Sequence, residues 1–190
     1  MPARSFILLL IAVSAPAVSS ISLDLDPAKT DIQFTLHDVL HTVHGTFKLK
    51  RGSLHFDPDS GQASGEIVVD VLSGASGSDV RDRRMHKEIL ESQRFPEAIF
   101  TPDRVDGKLP ALGQSQIDVH GIFKIHGSGH ELTLHFQVER VGAQFIASTH
   151  FTIPYVEWGM KNPSNFLLKV DKTVDLEIKA TINGMLFNAA

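Results

Sequence analysis

The chain has 190 residues, 42 % of them hydrophobic, a net charge of −4 and no cysteine. That suits one domain with a sizeable core once a short leader is set aside. It gives no general pull toward nucleic acid, and it excludes disulfides, thiol catalysis and thiolate metal sites.

Residues Met1 to Ser20 read as an export signal. Arg4 supplies the positive start, Phe6 to Val13 form a short apolar run, and Ala15-Pro16-Ala17 and Val18-Ser19-Ser20 offer small residues for cleavage. The run is too short to span a bilayer, and with no cysteine a lipoprotein anchor has no attachment point. The expected product is a periplasmic domain over residues 21–190.

Past the leader, apolar and polar residues alternate, the period-two signature of strands with one greasy and one wet face. Asp26-Pro27-Ala28-Lys29-Thr30 breaks the pattern and is expected to start the domain. Ile32, Phe34 and Leu36 give the first apolar face, and Val43, Gly45, Phe47 and Leu49 the second. Lys50-Arg51-Gly52-Ser53 reads as a hairpin turn into Leu54 and Phe56, and Asp57-Pro58-Asp59-Ser60-Gly61 as a strong turn. Ile67, Val69 and Val71 form a further strand.

The small, glycine-rich stretch Ser73 to Ser78 predicts a loop, and a helix should follow with Ser78 or Asp79 at its start. Met85 and Ile89 share one face of it, with Leu90 beside them. Phe95-Pro96 marks the exit, and Ala98 and Phe100 open the next strand. Val119, Gly121, Phe123 and Ile125 line one strand face. Gly127-Ser128-Gly129 connects to Leu132, Leu134, Phe136 and Val138, and Phe145, Ala147, Thr149, Phe151 and Ile153 form another strand. The last runs through Val174, Leu176, Ile178, Ala180 and Ile182. The predicted fold is all-β: about eight mostly antiparallel strands and one helix, as a sandwich or a barrel.

Twelve phenylalanines against one tyrosine and one tryptophan are the chemical clue. Phe34, Phe47, Phe56, Phe100, Phe123, Phe136, Phe145 and Phe151 all fall on the apolar phase. Such a set is either a filled core or the lining of a hollow that makes no hydrogen-bond demand on a hydrocarbon guest, whose burial is worth about 0.8 kcal/mol per CH₂. Gly45 and Gly121, on the same phase, leave room for a guest or for a neighbouring ring.

The ten histidines raise a metal-binding or stress-protective alternative. His37, His44, His55, His120 and His135 lie on the polar phase, spread over the outside rather than gathered. No metal site or cofactor is therefore assigned. There is no nucleophile elbow, glycine-rich phosphate loop or H-E-x-x-H, so no catalytic residue is assigned either. An outer-membrane barrel shares the alternation but needs girdles of Tyr and Trp.

The run Val119-His120-Gly121-Ile122-Phe123-Lys124-Ile125-His126-Gly127, followed by Leu132-Thr133-Leu134, resembles the YceI family of exported lipid-binding proteins, with its V-x-G-x-[LF]-x-[LI]-H-G run and a later V-T-L. Asp26-Pro27 with Ile32 and Phe34, Val43-x-Gly45-x-Phe47, Phe56-Asp57-Pro58, Arg81-Asp82, Phe95-Pro96 with Phe100, and Trp158-Gly159-Met160 follow in the family's order. Asp38-Val39-Leu40 stands where His-hydrophobic-Gly is common, and Tyr155 where Arg is frequent.

The resemblance implies a lipocalin-like extended barrel holding an isoprenoid quinone, a polyprenyl chain or a similar amphiphile, without catalysis. Its lining is then expected from Phe34, Leu36, Val43, Phe47, Phe56 and Val69, from Met85, Leu90, Phe95 and Phe100, and from Phe123, Ile125, Leu134, Phe136, Phe151, Trp158 and Leu176. Arg81, Arg84 and Lys87 at the helix are the expected head-group contacts, against the bland reading of a solvated charged face. The expected partner is a lipid rather than a nucleic acid, and the protein is not expected to be an integral membrane protein. Transient membrane contact and a homodimer are compatible with this reading.

Overall fold

The computed structural model describes residues 20–187 apart from 165, 167 and 168, so nearly all of the expected leader lies outside the described residues. Eight antiparallel strands follow one another round a closed barrel. They are β1 (Ser20–His37), β2 (Thr42–Phe56), β3 (Ala63–Ala75), β4 (Glu97–Gly107), β5 (Gln114–Ile125), β6 (Ser128–Val141), β7 (Gln144–Ile153) and β8 (Val174–Phe187). β8 pairs with β1, Ile32 opposite Ile178 and Phe34 opposite Leu176, which leaves no free sheet edge.

The alternation decides which face is inside. Leu134 and Val138 are buried while His135, Gln137 and Glu139 face water. Glu177 and Lys179 are likewise outside and Ala180 and Ile182 inside. A membrane barrel shows lipid an apolar outer band; this outer wall is charged. Among the described residues no helix is long and apolar enough to cross a membrane.

Two expected breaks in the chain are bends within strands. Asp26–Thr30 lies inside β1, where the pairing shifts between Leu25 and Thr30, and the domain starts earlier, with Ile21 and Leu23 already in the core. Lys50–Ser53 lies inside β2, where the pairing with β3 shifts between Leu49 and Arg51. A third shift falls between Pro102 and Arg104 of β4. In each case two inward residues stand five apart: Leu25 and Thr30, Leu49 and Leu54, Phe100 and Val105. An odd spacing would put one of the pair outside. One extra residue restores the phase and bends the strand, as a barrel wall requires.

The other connections follow local chemistry. Asp57 takes the N–H groups of Asp59 (2.8 Å) and Ser60 (3.3 Å), and Gly61 closes the turn at φ 73°. The expected Gly127–Gly129 connection is a two-residue turn of His126 and Gly127, with φ of 50° and 82°, closed by Ile125 opposite Ser128. Both central residues at positive φ give the twist that a tight hairpin needs. Ser73, Gly74 and Ala75, the first half of the expected loop, belong to β3.

The helix comes in two parts, α1 (Asp79–Arg84) and a π-helical segment (Met85–Ile89). Ser78 is the N-cap residue, but its side chain makes no capping bond. The corner is held from the other direction: Asp82 accepts the backbone N–H (2.9 Å) and the hydroxyl of Ser76, while Arg81 donates to the hydroxyl and carbonyl of Ser76, both at 2.7 Å.

Candidate functional site

The barrel is hollow. An upper cavity of about 260 Å³ lies under the helix, and a second of about 110 Å³ lies deeper along the axis. Ile32, Val69, Phe123, Phe151 and Ile178 line both, so they form a waist between two chambers of one interior. The larger chamber approaches the lower end of the range, roughly 300 Å³ upward, of pockets that hold small molecules.

Each wall contributes by strand phase. Phe34, Leu36, Val43, Phe47, Ile125 and Leu176 line the upper chamber; Phe56, Phe100, Leu134, Phe136 and Phe145 line the lower one. The π-helical segment supplies the roof. Its bond from the Leu90 N–H to the Met85 carbonyl (2.9 Å) spans five residues, and Met85, Ile89 and Leu90 all face the cavity. π turns of this kind recur at functional sites.

Three expected contacts lie elsewhere. Phe95 rests on His126 with ring centroids 4.5 Å apart, next to Gly127, where a Cβ would come within 2.8 Å of its ring. Trp158 stacks on His130 at 4.0 Å and 6°, and meets Phe123 at 6.1 Å with the rings tilted by 50°. Lys87 is exposed and away from the cavity. Conversely, Ile153, Tyr155, Met160, Pro163 and Val170 line the upper chamber without having been expected there. Ile153 is the last inward residue of β7, and the other four come from the irregular connection between β7 and β8, which has no period to read.

In the deeper chamber the Thr30 hydroxyl is taken up by the Asp26 carbonyl at 2.9 Å. Charged side chains reach the cavity at one end only, where Asp38, Arg81 and Arg84 line it with Ser76. Arg84 is 45 % exposed and also lines the cavity, so the chamber meets water here. Arg84 donates to the Pro163 carbonyl (3.2 Å) and lies 3.7 Å from Glu88. Asp38 accepts the N–H groups of Leu40 (2.8 Å) and His41 (2.7 Å). The bond from Leu40 chiefly, with that from His41 and the charges of His41 and Arg81, holds its carboxyl below the usual range against a desolvation effect that raises it. Tyr155 anchors the β7–β8 connection by donating to the Asp171 carbonyl at 2.6 Å. Burial, aided by the Asp171 charge, pushes its phenol up to about 12.

The two glycines resolve differently from a guest-binding reading. A Cβ on Gly45 would collide with the Phe34 ring, and one on Gly121 with the Thr101 carbonyl and Pro102. One makes room for a side chain and the other for a close strand approach.

The surface histidines are cross-strand partners. His55 bonds Ser22 (2.8 Å), His44 bonds Thr35 (3.1 Å), His37 bonds Thr42 (3.1 Å) and His135 bonds Asp118 (2.7 Å). Among the described residues no three His, Asp or Glu side chains converge as a metal site.

Known proteins share this architecture. A Burkholderia cenocepacia protein, BcnA, superposes with a TM-score of 0.66 at 18 % identity, covering 83 % of this chain and 99 % of its own. A polyisoprenoid binding domain from Saccharophagus degradans, described as implicated in plant cell wall breakdown, gives 0.65 at 20 %, covering 90 % and 100 %. The Campylobacter jejuni YceI protein gives 0.54 at 12 %, covering 93 % and 90 %. No curated protein matches significantly. The YceI-like domain profile matches residues 23–182, which run from within β1 into β8, and the chain therefore belongs to the YceI-like family.

Proposed function

We propose that the protein is a non-catalytic carrier or reservoir for a long-chain amphiphile of isoprenoid type, working in the periplasm. The observation that carries this is the asymmetry of the cavity: two apolar chambers in line, with charged side chains at one end alone. That matches a molecule with a long hydrocarbon tail and a single polar head. The Saccharophagus neighbour, described as binding polyisoprenoid, supports the same reading.

Each CH₂ moved from water into the phenylalanine-lined interior gains about 0.8 kcal/mol. A few prenyl units thus offset the ordering cost of binding. The walls offer almost no hydrogen bonds, so tail length and shape set preference rather than polar matching. Arg81 and Arg84 are positioned to meet an anionic head, with Ser76 beside them.

Native mass spectrometry and organic extraction of the purified protein test this. A released long-chain lipid, or saturable uptake of a fluorescent polyprenyl probe by the emptied protein, is the expected result. An empty protein that takes up no probe overturns the proposal.

A further inference from the structure

The rim of the cavity mouth carries apolar side chains in water. Val39 and Leu40, at the tip between β1 and β2, are 71 % and 72 % exposed; Val80 on α1 is 71 % and Phe166, between β7 and β8, 96 %. Single exposed apolar residues need no explanation, but these four sit on three segments joined to one another. Asp38 bridges Val170, the Val39 N–H reaches the Lys169 carbonyl (3.2 Å), and Lys161 pairs with Glu88 at 2.8 Å.

The same segments reverse the sign of the chain. The whole protein is at −4, yet residues 38–41, 76–90 and 154–173 together hold seven Arg and Lys against six Asp and Glu, the cations all on the second and third segments. Three of those six carboxylates are engaged, Asp38 with its own turn, Asp82 with Ser76 and Glu88 with Arg84 and Lys161, while Asp79, Glu157 and Asp171 are exposed. Arg83, Lys87, Lys169 and Lys172 are exposed.

Apolar tips flanked by cations fit an anionic lipid surface, which takes the first into its acyl boundary and attracts the second. We infer that this end docks on an anionic membrane, with Leu40, Val80 and Phe166 entering the interface, so that a tail passes between bilayer and cavity without crossing water. The tail transfer rests on the carrier reading; the docking does not.

The test is flotation of the protein with phosphatidylcholine vesicles prepared with and without phosphatidylglycerol. Binding is expected only with the anionic lipid and should weaken as salt rises. Leu40→Ser with Val80→Ser should lower the affinity roughly tenfold. Lys169→Gln with Lys172→Gln should lower it roughly fivefold per cation and flatten the salt dependence. Leu112→Ser serves as the control: Leu112 is 90 % exposed on the β4–β5 connection, at the opposite end, and its loss should change nothing.

Equal loss with Leu112→Ser, no vesicle binding, or a self-association that the rim variants abolish would overturn the inference, the last by making a second copy the occupant. All these residues are exposed, so unchanged Trp158 fluorescence verifies the fold. Vesicle binding in this pattern by a protein that takes up no polyprenyl probe from solution would leave docking standing and remove the carrier reading alone.

Discussion

The ring of Phe34 fills the space that any side chain at position 45 would need. The two residues are paired directly across β1 and β2, and the ring also meets Phe47 at 5.4 Å. A Cβ on Gly45 cannot retreat the other way either, because the Ala75 carbonyl stands at 2.5 Å. Gly45→Ala should therefore push Phe34 into the upper chamber and cost about 1–3 kcal/mol in urea unfolding, the usual range for overpacking. Adding Phe34→Leu should recover part of that loss. A Gly45→Ala variant as stable as its parent would refute the steric relationship.

The waist governs which tails fit. Ile178 and Phe151 border both chambers, so changing the volume of either alters how far a guest can reach. Ile178→Phe should shift preference toward shorter prenyl chains, and Phe151→Leu toward longer or bulkier ones. Each variant should lose about 1–3 kcal/mol of stability. Competition between prenols of graded length against a bound probe gives the readout. Length profiles that coincide for both variants and the parent would mean that the chambers are not used in series.

Most of the barrel is legible in the sequence because its code is local. The inward residues of β5 to β8 can be read off the period of two, and the turn at Asp57–Gly61 off its Asp, Pro and Gly. The bulges were harder. Asp26–Thr30 and Lys50–Ser53 carry the polar, glycine and proline residues of a turn, and only the odd spacing between flanking apolar residues, seven from Leu25 to Ile32 and five from Leu49 to Leu54, shows that the strand continues. The phenylalanine phase identified the lining residues on the strands, but alternation alone cannot separate a filled core from a hollow one. The mouth was the least legible part. Asp38, Ser76 and Pro163 come together from three irregular segments distant in sequence, and Trp158 reads as a lining aromatic until its stacking partner His130 is seen.

The head-group reading separates the basic residues of the helix. Arg81 and Arg84 line the cavity and Lys87 does not. Arg84→Gln should weaken a diphosphate lipid by about tenfold or more, the cost of losing a charged hydrogen bond. It should leave an uncharged prenol unchanged, and Lys87→Gln should affect neither. Arg81→Gln has a second effect, because Arg81 also holds the Ser76 corner, and should lower stability as well as affinity for the diphosphate. Equal losses for charged and uncharged lipids with Arg84→Gln would show that the guanidinium shapes the mouth without touching a head group.

Tyr155 offers a spectroscopic test of how firmly the β7–β8 connection closes the barrel. It is the chain's only tyrosine, so phenolate absorbance during an alkaline titration reports on this one side chain. Burial raises its pKa from 10.0 to about 12, so the folded state holds the proton more tightly than the unfolded state does. The sign follows by linkage: this contribution is complete below pH 10 and is lost as pH rises through about 10 to 12, up to about 3 kcal/mol in all. Lysines titrate in the same window, and Tyr155→Phe separates the two. That variant should lose about 1–2 kcal/mol at neutral pH by stranding the Asp171 carbonyl, and it should show a shallower alkaline decline than the parent. A folded-state phenol midpoint near 10, or parallel alkaline declines in parent and variant, would mean that the connection opens readily and that Tyr155 does not seal the upper chamber.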